Sequence, residues 1–417
     1  MKVSIVLAGI LTLCIVAVQA QNSPGSPYTY FGIGDIYHKG SGHHLMKGGT
    51  GIADRSQFAI NNLNPASYSS ISNRFTYLHE FGVSVATATR TDGDDEGRQI
   101  TLDFPYLMMA FKTGDQSGGT VGLRKYSNVD YTILGTGQFS GTSGEYRVRY
   151  DGTGGLNEVY FGYGQNLGER LSVGMHAAYI FGNIKNDQRI NSSDINYSIG
   201  ITDEHYLRAF NLDIGAQYTL PLGQSRVTVG ATYDPQNKLS SYRDLLIAET
   251  EPLGSTPLDT LALEEVETEE YLLPHTLGFG VSWNRNERFA LSADVQTQLW
   301  SASALEGEDY HLRDSRRGSI GFEKLPNYRA KRYTGYVRWS LGLYYEQSYL
   351  VLDEEGLNNS GITIGMGFPL GNKAMLRLIA ERSARGQQLD DFFNENYTKV
   401  TINLTFMDLW FSRRKLD

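Results

Sequence analysis

Long runs of alternating apolar and polar residues dominate the chain after residue 73, and they limit what it can fold into. In the run from Glu287 to Trp300, the apolar side chains take most odd-numbered positions and the polar ones most even-numbered positions. Such a period of two is typical of a strand with two unlike faces. The runs are about ten residues or longer, whereas strands in soluble proteins average about five or six residues. A tilted strand needs roughly 9 to 11 residues to cross a bilayer, so a transmembrane β-barrel is favoured over the alternative, a secreted soluble β protein.

The connectors between these runs alternate in length. The short connectors lie at 166–169, 221–225, 284–287 and 370–373. The long polar ones lie at 90–97, 185–203, 241–269, 302–314 and 386–396. Short turns at the periplasmic end and long loops at the outer end are typical of bacterial barrels. The pattern predicts an all-β fold, a 14-stranded antiparallel transmembrane β-barrel, over residues 73–411.

The first twenty residues are predicted to be a secretory signal peptide. Lys2 precedes an apolar run, and small residues at positions 18 and 20 suit a cleavage site after Ala20. Cys14, the chain's single cysteine, lies in this segment, so the mature protein is expected to need no disulfide. We expect export to the bacterial outer membrane. The net charge of −9 argues against nucleic-acid binding, which favours a basic face.

Residues 21–72 lie between the predicted signal peptide and the first strand run. They are too rich in Gly, Pro, Asn and Ser to build a core of their own. A segment of this kind either hangs in the periplasm or folds into the lumen as a plug. Its opening, SPYTYFGIGD, carries Tyr28, Tyr30 and Phe31, and large aromatic side chains need a wall to pack against. We therefore interpret 21–72 as an N-terminal hatch (plug).

Several ordered motifs resemble the FadL family of outer-membrane transport barrels for hydrophobic compounds. The stretch NNLNPASYSSIS resembles the family's N-terminal motif, here Asn64-Pro65-Ala66. The stretch LPHTLGFGVSWNRNERFALSADVQTQLW resembles its proline-entered hairpin, and residues 361–386 with 396–411 resemble its last three strands. The opening SPYTYFGIGD and the ending WFSRRKLD resemble members from the Bacteroidetes most.

The resemblance implies a hatch inside a barrel and passive uptake of fatty-acid-like hydrophobic small molecules, with lateral release beside a kinked strand. In that scheme the candidate hatch or ligand residues are Tyr28, Tyr30, Phe31, Asn64, Pro65 and Ala66. The glycine-rich stretch DGTGG suggests a kink or bulge, with Gly152, Gly154 and Gly155 as candidates. The alternative for the aromatic residues is that they only pack the plug. The family also contains barrels that serve as subunits of outer-membrane assembly or secretion complexes, and this alternative function stays open.

The remaining clusters give weaker indications. The acidic stretch 245–270 is interpreted either as a solvated loop or as a surface for a basic partner or bridging divalent ions. The basic tail 412–417 is predicted to be periplasmic, as solubilising charge or a docking contact. His38, His43 and His44 could bind zinc or copper, but their flexible glycine-rich loop argues against a preformed site, and we predict no metal and no cofactor. We expect no enzymatic activity, because no nucleophile–base pair lies at a usable spacing.

Overall fold

The structure is a computed structural model. It describes residues 26–72, 77–92, 95–138, 144–192, 197–251, 257–303, 310–327, 329–352, 355–386 and 394–409. The predicted signal peptide and the basic tail 412–417 lie outside the described residues. The helical segments within these ranges are short, and none is long and apolar enough to cross a membrane.

Twenty β segments form one antiparallel sheet. Their bounds are β1 Asp35–Ile36, β2 Tyr77–Asp92, β3 Asp95–Asp103, β4 Tyr106–Gly114, β5 Ser117–Lys125, β6 Ser127–Gln138, β7 Glu145–Leu167, β8 Leu171–Ser192, β9 Ser198–Leu222, β10 Ser225–Asp234, β11 Asn237–Thr250, β12 Pro257–Leu273, β13 Thr276–Arg285, β14 Phe289–Gln298, β15 Tyr310–Leu312, β16 Ser315–Lys324, β17 Arg338–Leu352, β18 Glu355–Leu370, β19 Ala374–Gly386 and β20 Asn394–Asp408.

Apart from β1, these segments make up the fourteen strands of the barrel wall, which are called wall strands from here on. Five wall strands are interrupted once, and each appears as two consecutive segments: β3 and β4, β5 and β6, β10 and β11, β12 and β13, and β15 and β16. The barrel closes where β2 pairs with β20, from Tyr77 opposite Asp408 to Thr91 opposite Asn394. The predicted 14-stranded antiparallel β-barrel is therefore confirmed.

The alternation in the sequence corresponds to the two faces of the wall. On β13, β14 and β16 the outward side chains are large and apolar, and they include Phe279, Val295 and Ile320, all more than half exposed. The inward side chains of the same strands are small or polar and buried, among them Ser292 and Asp294. An apolar outer band around a polar interior is the arrangement of a membrane-spanning barrel.

The outer connectors differ from the sequence prediction, because much of their length is strand. The predicted acidic loop 245–270 is largely a hairpin, since β11 pairs with β12 from Asn237 opposite Leu273 to Thr250 opposite Pro257. The wall thus continues as a paired ladder through most of the stretch predicted as a loop. Backbone pairing does not require alternating side chains, and this stretch does not alternate strictly, so periodicity in the sequence does not mark it as strand.

One connector at the opposite end also differs. Tyr333–Gly335 forms a 3₁₀ turn, and β17 starts only at Arg338. The connector between β16 and β17 is therefore 325–337, much longer than the turns beside it.

Candidate functional site

Residues 26–72, called the N-terminal segment from here on, lie against the inner face of the wall. They contain 3₁₀ turns at Pro27–Tyr30 and Pro65–Ser70 and one short helix, α1, at Gly42–Leu45. Inward-facing glycines of the wall let this backbone approach closely. A Cβ added at Gly342 of β17 would lie 2.0 Å from the Gly48 amide nitrogen, and one at Gly174 of β8 would lie 2.3 Å from the Pro65 carbonyl carbon.

The Asn64-Pro65-Ala66 motif fixes the segment to β8 and β9. The Asn64 side chain is fully buried. Its amide donates to the carbonyls of Ile52 (2.8 Å) and Ala216 (3.2 Å), while its Oδ1 accepts from the Ala66 amide (3.0 Å). These bonds begin the 3₁₀ turn and anchor it to the wall. The observed contacts are structural, and ligand binding by this motif stays a prediction.

Lys39 clamps the segment to the wall strands β9 and β10. Its Nζ lies 2.5 Å from Asp213 Oδ2 and 2.9 Å from Asp234 Oδ2, and its side chain is 16% exposed. Burial lowers the pKa of Lys39, but the two carboxylates more than offset this and hold the pKa above its usual range. His176 Nδ1 lies 2.9 Å from the same Asp213 oxygen. Sequence reasoning missed this clamp, because an isolated lysine in a glycine-rich segment gives no signal.

A second buried charge cluster forms around Asp54 inside the segment. Its Oδ2 lies 2.6 Å from Lys47 Nζ and 2.7 Å from His43 Nε2. On the wall side, Arg338 Nη1 lies 3.0 Å from His43 Nδ1 and 2.9 Å from Glu323 Oε1. Asp54 therefore accepts from His43 Nε2–H, while Nδ1 accepts from Arg338. Burial raises the pKa of Asp54, but Lys47 and His43 outweigh it, so that pKa lies well below its usual range.

The histidines predicted as a potential metal cluster are divided between two places. His43 and His44 lie with Asp54, so that one ligand atom of each falls within 4.8 Å of the others. His38 lies apart, with Nε2 3.2 Å from the Gly49 carbonyl oxygen. The Lys47 ammonium is bonded to the same Asp54 oxygen that a metal would need, and a fixed ammonium there opposes a second cation.

Because its histidines are held neutral, the seating of the segment should weaken in acid. Burial, followed by the charge of Lys47, lowers the pKa of His43 to about 4. Burial and the neighbouring His43 lower the pKa of His44 well below its usual value. As the pH falls below about 6.5, these histidines take up protons in the released segment before they do so in the seated one. Each histidine therefore lowers the stability of the seated state by up to about 1.4 kcal/mol per pH unit.

We expect hydrogen exchange of the backbone amides in 41–50, corrected for intrinsic rate, to accelerate as the pH falls from about 6.5 to about 4. The charged groups facing the pair are Lys47, Asp54, Glu323, Arg338 and Arg377. His43→Asn should flatten this dependence, whereas the matched change at an exposed histidine, His311→Asn, should leave it intact. An equal slope in both variants would contradict the assignment.

The aromatic residues of the opening stretch pack in two ways. Tyr28 is buried, and Phe31 meets Tyr310 with ring centroids 5.5 Å apart. Tyr30 is 43% exposed and makes edge contacts with Tyr131 (5.3 Å) and Tyr150 (6.3 Å). It faces a cavity of about 430 Å³ whose other aromatic walls include Tyr131, Tyr150, Tyr271 and Tyr310. That volume falls within the range of small-molecule sites.

A second cavity, of about 390 Å³, lies between the segment and the outer part of the lumen. Its lining is largely charged or polar and includes Asp35, Lys39, Asp103, Arg124, Arg317, Glu346, Glu381, Arg385 and Lys399. Many of these charges are compensated within the barrel, as in the pair Arg317–Glu346 at 2.6 Å and the pair Arg385–Asp35 at 2.6 Å.

The wall has an unpaired seam beside this second cavity. The third wall strand is interrupted at Tyr126, between β5 and β6. Below the interruption β4 pairs with β5, but above it no ladder joins β3 to β6 within the described residues. The N-terminal segment occupies part of the edge, because β1 pairs with β6 and the Thr29 hydroxyl bonds both the carbonyl and the amide of Asp130.

The predicted kink glycines lie opposite this interruption. Gly154 and Gly155 adopt φ of +115° and +131°, and a Cβ at Gly155 would lie 2.5 Å from the Ser127 carbonyl oxygen. Their own strand, β7, keeps an unbroken ladder with β8. The interruption is thus in the neighbouring strand, and a role of Gly152, Gly154 and Gly155 in lateral exit stays a prediction.

Comparison with known proteins identifies one family and a fold. The matching family is described as BamG, and the match covers residues 1–417. No curated protein matches.

Three solved structures represent the fold. The toluene transporter TbuX of Ralstonia pickettii is 14% identical, with 89% of this chain and 99% of that chain covered and a TM-score of 0.58. The toluene transporter TodX of P. putida is 15% identical, with coverage of 91% and 100% and a TM-score of 0.57. A FadL homologue of Pseudomonas aeruginosa is 11% identical, with coverage of 89% and 99% and a TM-score of 0.58. At these identities the likeness shows the fold, and it confirms the predicted FadL-like barrel fold.

Proposed function

The chain belongs to the BamG family, and from that premise we propose that it is a non-transporting barrel subunit of an outer-membrane protein assembly. The observation that carries the proposal is the fastening of the N-terminal segment, which acts here as a fixed hatch. Lys39 holds it to Asp213 and Asp234, and the Asp54 cluster holds it to Glu323 and Arg338 through His43.

These contacts raise the free energy that is needed to displace the hatch. Breaking a buried ion pair by removing one partner costs about 3–5 kcal/mol, because the other charge stays buried. The hatch has two such centres, and further bonds support them. Asp294 Oδ2 accepts from the amides of Gly51 (2.6 Å) and Ile52 (2.9 Å). A channel that opens in each transport cycle would have to disrupt part of this network each time.

The second candidate function is passive uptake of fatty-acid-like hydrophobic small molecules with lateral release. Two observations favour it: the aromatic cavity at Tyr30 and the seam between β3 and β6. The stretch 26–36 contributes Tyr30 and Ile33 to the aromatic cavity, and Thr29 and Ile36 to the charged cavity beside the seam. It therefore lies between the two, and lateral release would require it to leave the edge of β6.

A disulfide across this contact separates the two functions. Tyr37 donates to the Tyr126 carbonyl (2.9 Å), so Ile36 and Ser127 form the adjacent non-hydrogen-bonded pair. The Cα atoms of such a pair are about 4.5 Å apart, within the range of a disulfide. We expect the double variant Ile36→Cys with Ser127→Cys to form this disulfide readily. The single native cysteine, Cys14, lies in the predicted signal peptide, so no other thiol of the mature protein is expected to compete.

The test is purification in mild detergent from the native outer membrane, followed by mass spectrometry of bound proteins and extracted lipids. A stoichiometric partner protein, retained in the oxidised variant and without enriched lipid, supports the subunit. A lone barrel that carries an apolar compound, and loses uptake when oxidised, supports the transporter and overturns the first proposal. Ser127→Cys alone is the matched control, because the Ser127 hydroxyl also accepts from the Leu156 amide (3.3 Å).

A further inference from the structure

The end of the barrel at which the N-terminal segment enters β2 carries a cluster of exposed cations. We call it the basic sector, and its members are Arg226, Arg285, Arg288, Lys324, Arg329, Lys331 and Arg332. The wall ladders bring them to one side of this end: Ser225 lies opposite Arg285, and Phe289 lies opposite Lys324. Three neighbouring connectors and the strand ends beside them thus supply all seven. In a FadL-like barrel this end faces the periplasm.

Among the described residues, the cations of the basic sector have no ion-pair partners. None of the seven forms an ion pair with a described residue, and Glu287 is the only acidic residue on the described parts of the three connectors. The lumen of the same barrel is the opposite case. There Arg338 bonds Glu323 and Arg124 bonds Glu158, and both pairs are buried. Because these exposed cations lie together without ion-pair partners among the described residues, the sector is an electropositive surface.

The connector 325–337 gives this surface a defined shape. The Asn327 amide donates to the Gly335 carbonyl (2.8 Å), and the Ala330 amide donates to the Asn327 carbonyl (3.0 Å). The Tyr333 hydroxyl donates to the Pro369 carbonyl (3.1 Å), which ties the connector to the end of β18. The Tyr333 side chain is still 54% exposed and lies directly beside Arg332. The cations are therefore presented on a folded platform.

We propose that the basic sector docks an acidic surface of a periplasmic protein partner, and this rests on the proposed subunit function. Five of its seven cations are arginine, and an exposed tyrosine lies among them. Arginine and tyrosine are enriched at protein interfaces, whereas lysine is depleted. Phospholipid headgroups would also attract cations, but they require neither a folded connector of this length nor an exposed ring in it.

The test combines crosslinking with charge reversal in the full chain within its native outer membrane. Tyr333 is replaced by photoreactive p-benzoylphenylalanine, and illumination is followed by mass spectrometry of the adduct. We expect a protein adduct whose crosslinked region is rich in Asp and Glu. The triple change Arg329→Glu, Lys331→Glu and Arg332→Glu should reduce both the adduct and the co-purified partner by about tenfold or more, because like charges then face each other.

The control reverses an exposed cation on another connector of the same end, Arg170→Glu, and it should leave the partner bound. An adduct with phospholipid alone overturns the docking proposal, and so does a protein adduct that survives the triple reversal. If a stoichiometric partner stays bound after that reversal, the subunit function stands and only this docking surface is wrong. If the unaltered protein purifies without any partner, both proposals fail.

Discussion

Gly342→Val is expected to expel the N-terminal segment from the lumen while leaving the barrel formed. A Cβ at this position of β17 would lie 2.0 Å from the Gly48 nitrogen and 2.2 Å from the Lys47 carbonyl carbon. Both contacts are backbone, so no side chain can rotate away. Gly48 itself has φ +68°, a conformation that leaves its backbone little freedom to adjust. Overpacking typically costs about 1–3 kcal/mol even where neighbours can yield.

Trypsin measures the result, because the segment contains Lys39, Lys47 and Arg55, whereas the wall ladders resist cleavage. We expect cleavage within 26–72 to be on the order of tenfold faster in Gly342→Val, since proteolysis follows the population of the open form. The matched control is Gly318→Val on the adjacent strand β16, where an added Cβ would meet nothing within 4 Å. Equal protection of the segment in the two variants would show that it does not depend on the contact at Gly342.

Lys39→Met is expected to loosen the same segment by a different route. The methionine would leave the carboxylates of Asp213 and Asp234, now bound by one ammonium, buried without it. Removing one member of a buried charge cluster costs about 3–5 kcal/mol. Hydrogen exchange should therefore accelerate by on the order of a hundredfold or more in the amides around Lys39.

An exposed lysine provides the comparison for this change. Lys373 Nζ lies 2.6 Å from Asp408 Oδ1, but its side chain is 67% exposed. A surface pair of this kind contributes only about 0–1 kcal/mol, so Lys373→Met should leave exchange nearly unchanged. If Lys39→Met behaves like Lys373→Met, the clamp contributes little, and the proposal of a fixed hatch loses its main support.

The barrel itself could be predicted from the sequence, because a wall between lipid and a polar lumen forces a period of two. Asp294 illustrates both the success and its limit. The alternation places it on the lumen face, where it is found. Its partners, the amides of Gly51 and Ile52, could not be predicted, because a backbone donor looks the same at every position of the sequence.

Other features left no pattern at all. The outer ladder of β11 and β12 carries apolar residues such as Leu246, Leu258 and Leu263 without strict alternation, so it gives no period-two signal. The seam arises from an interruption at Tyr126 and from a register that shifts by one residue against β7 between β5 and β6. The glycines of β7 point to this region in the sequence. They lie opposite the interruption, but the interrupted strand is the neighbouring one, made of β5 and β6.

The closing ladder between β2 and β20 has a consequence for the order in which the molecule is made. It joins residues more than three hundred positions apart, so it can form only after the last strand of the chain has been synthesised. The N-terminal segment directly precedes β2 and already touches β20, where Asn403 faces Gly42 and Glu395 accepts from the Ser26 hydroxyl. These contacts with β20 can be completed only once the last strand is in place, so the final seating of the segment and the closing of the barrel depend on the same strand.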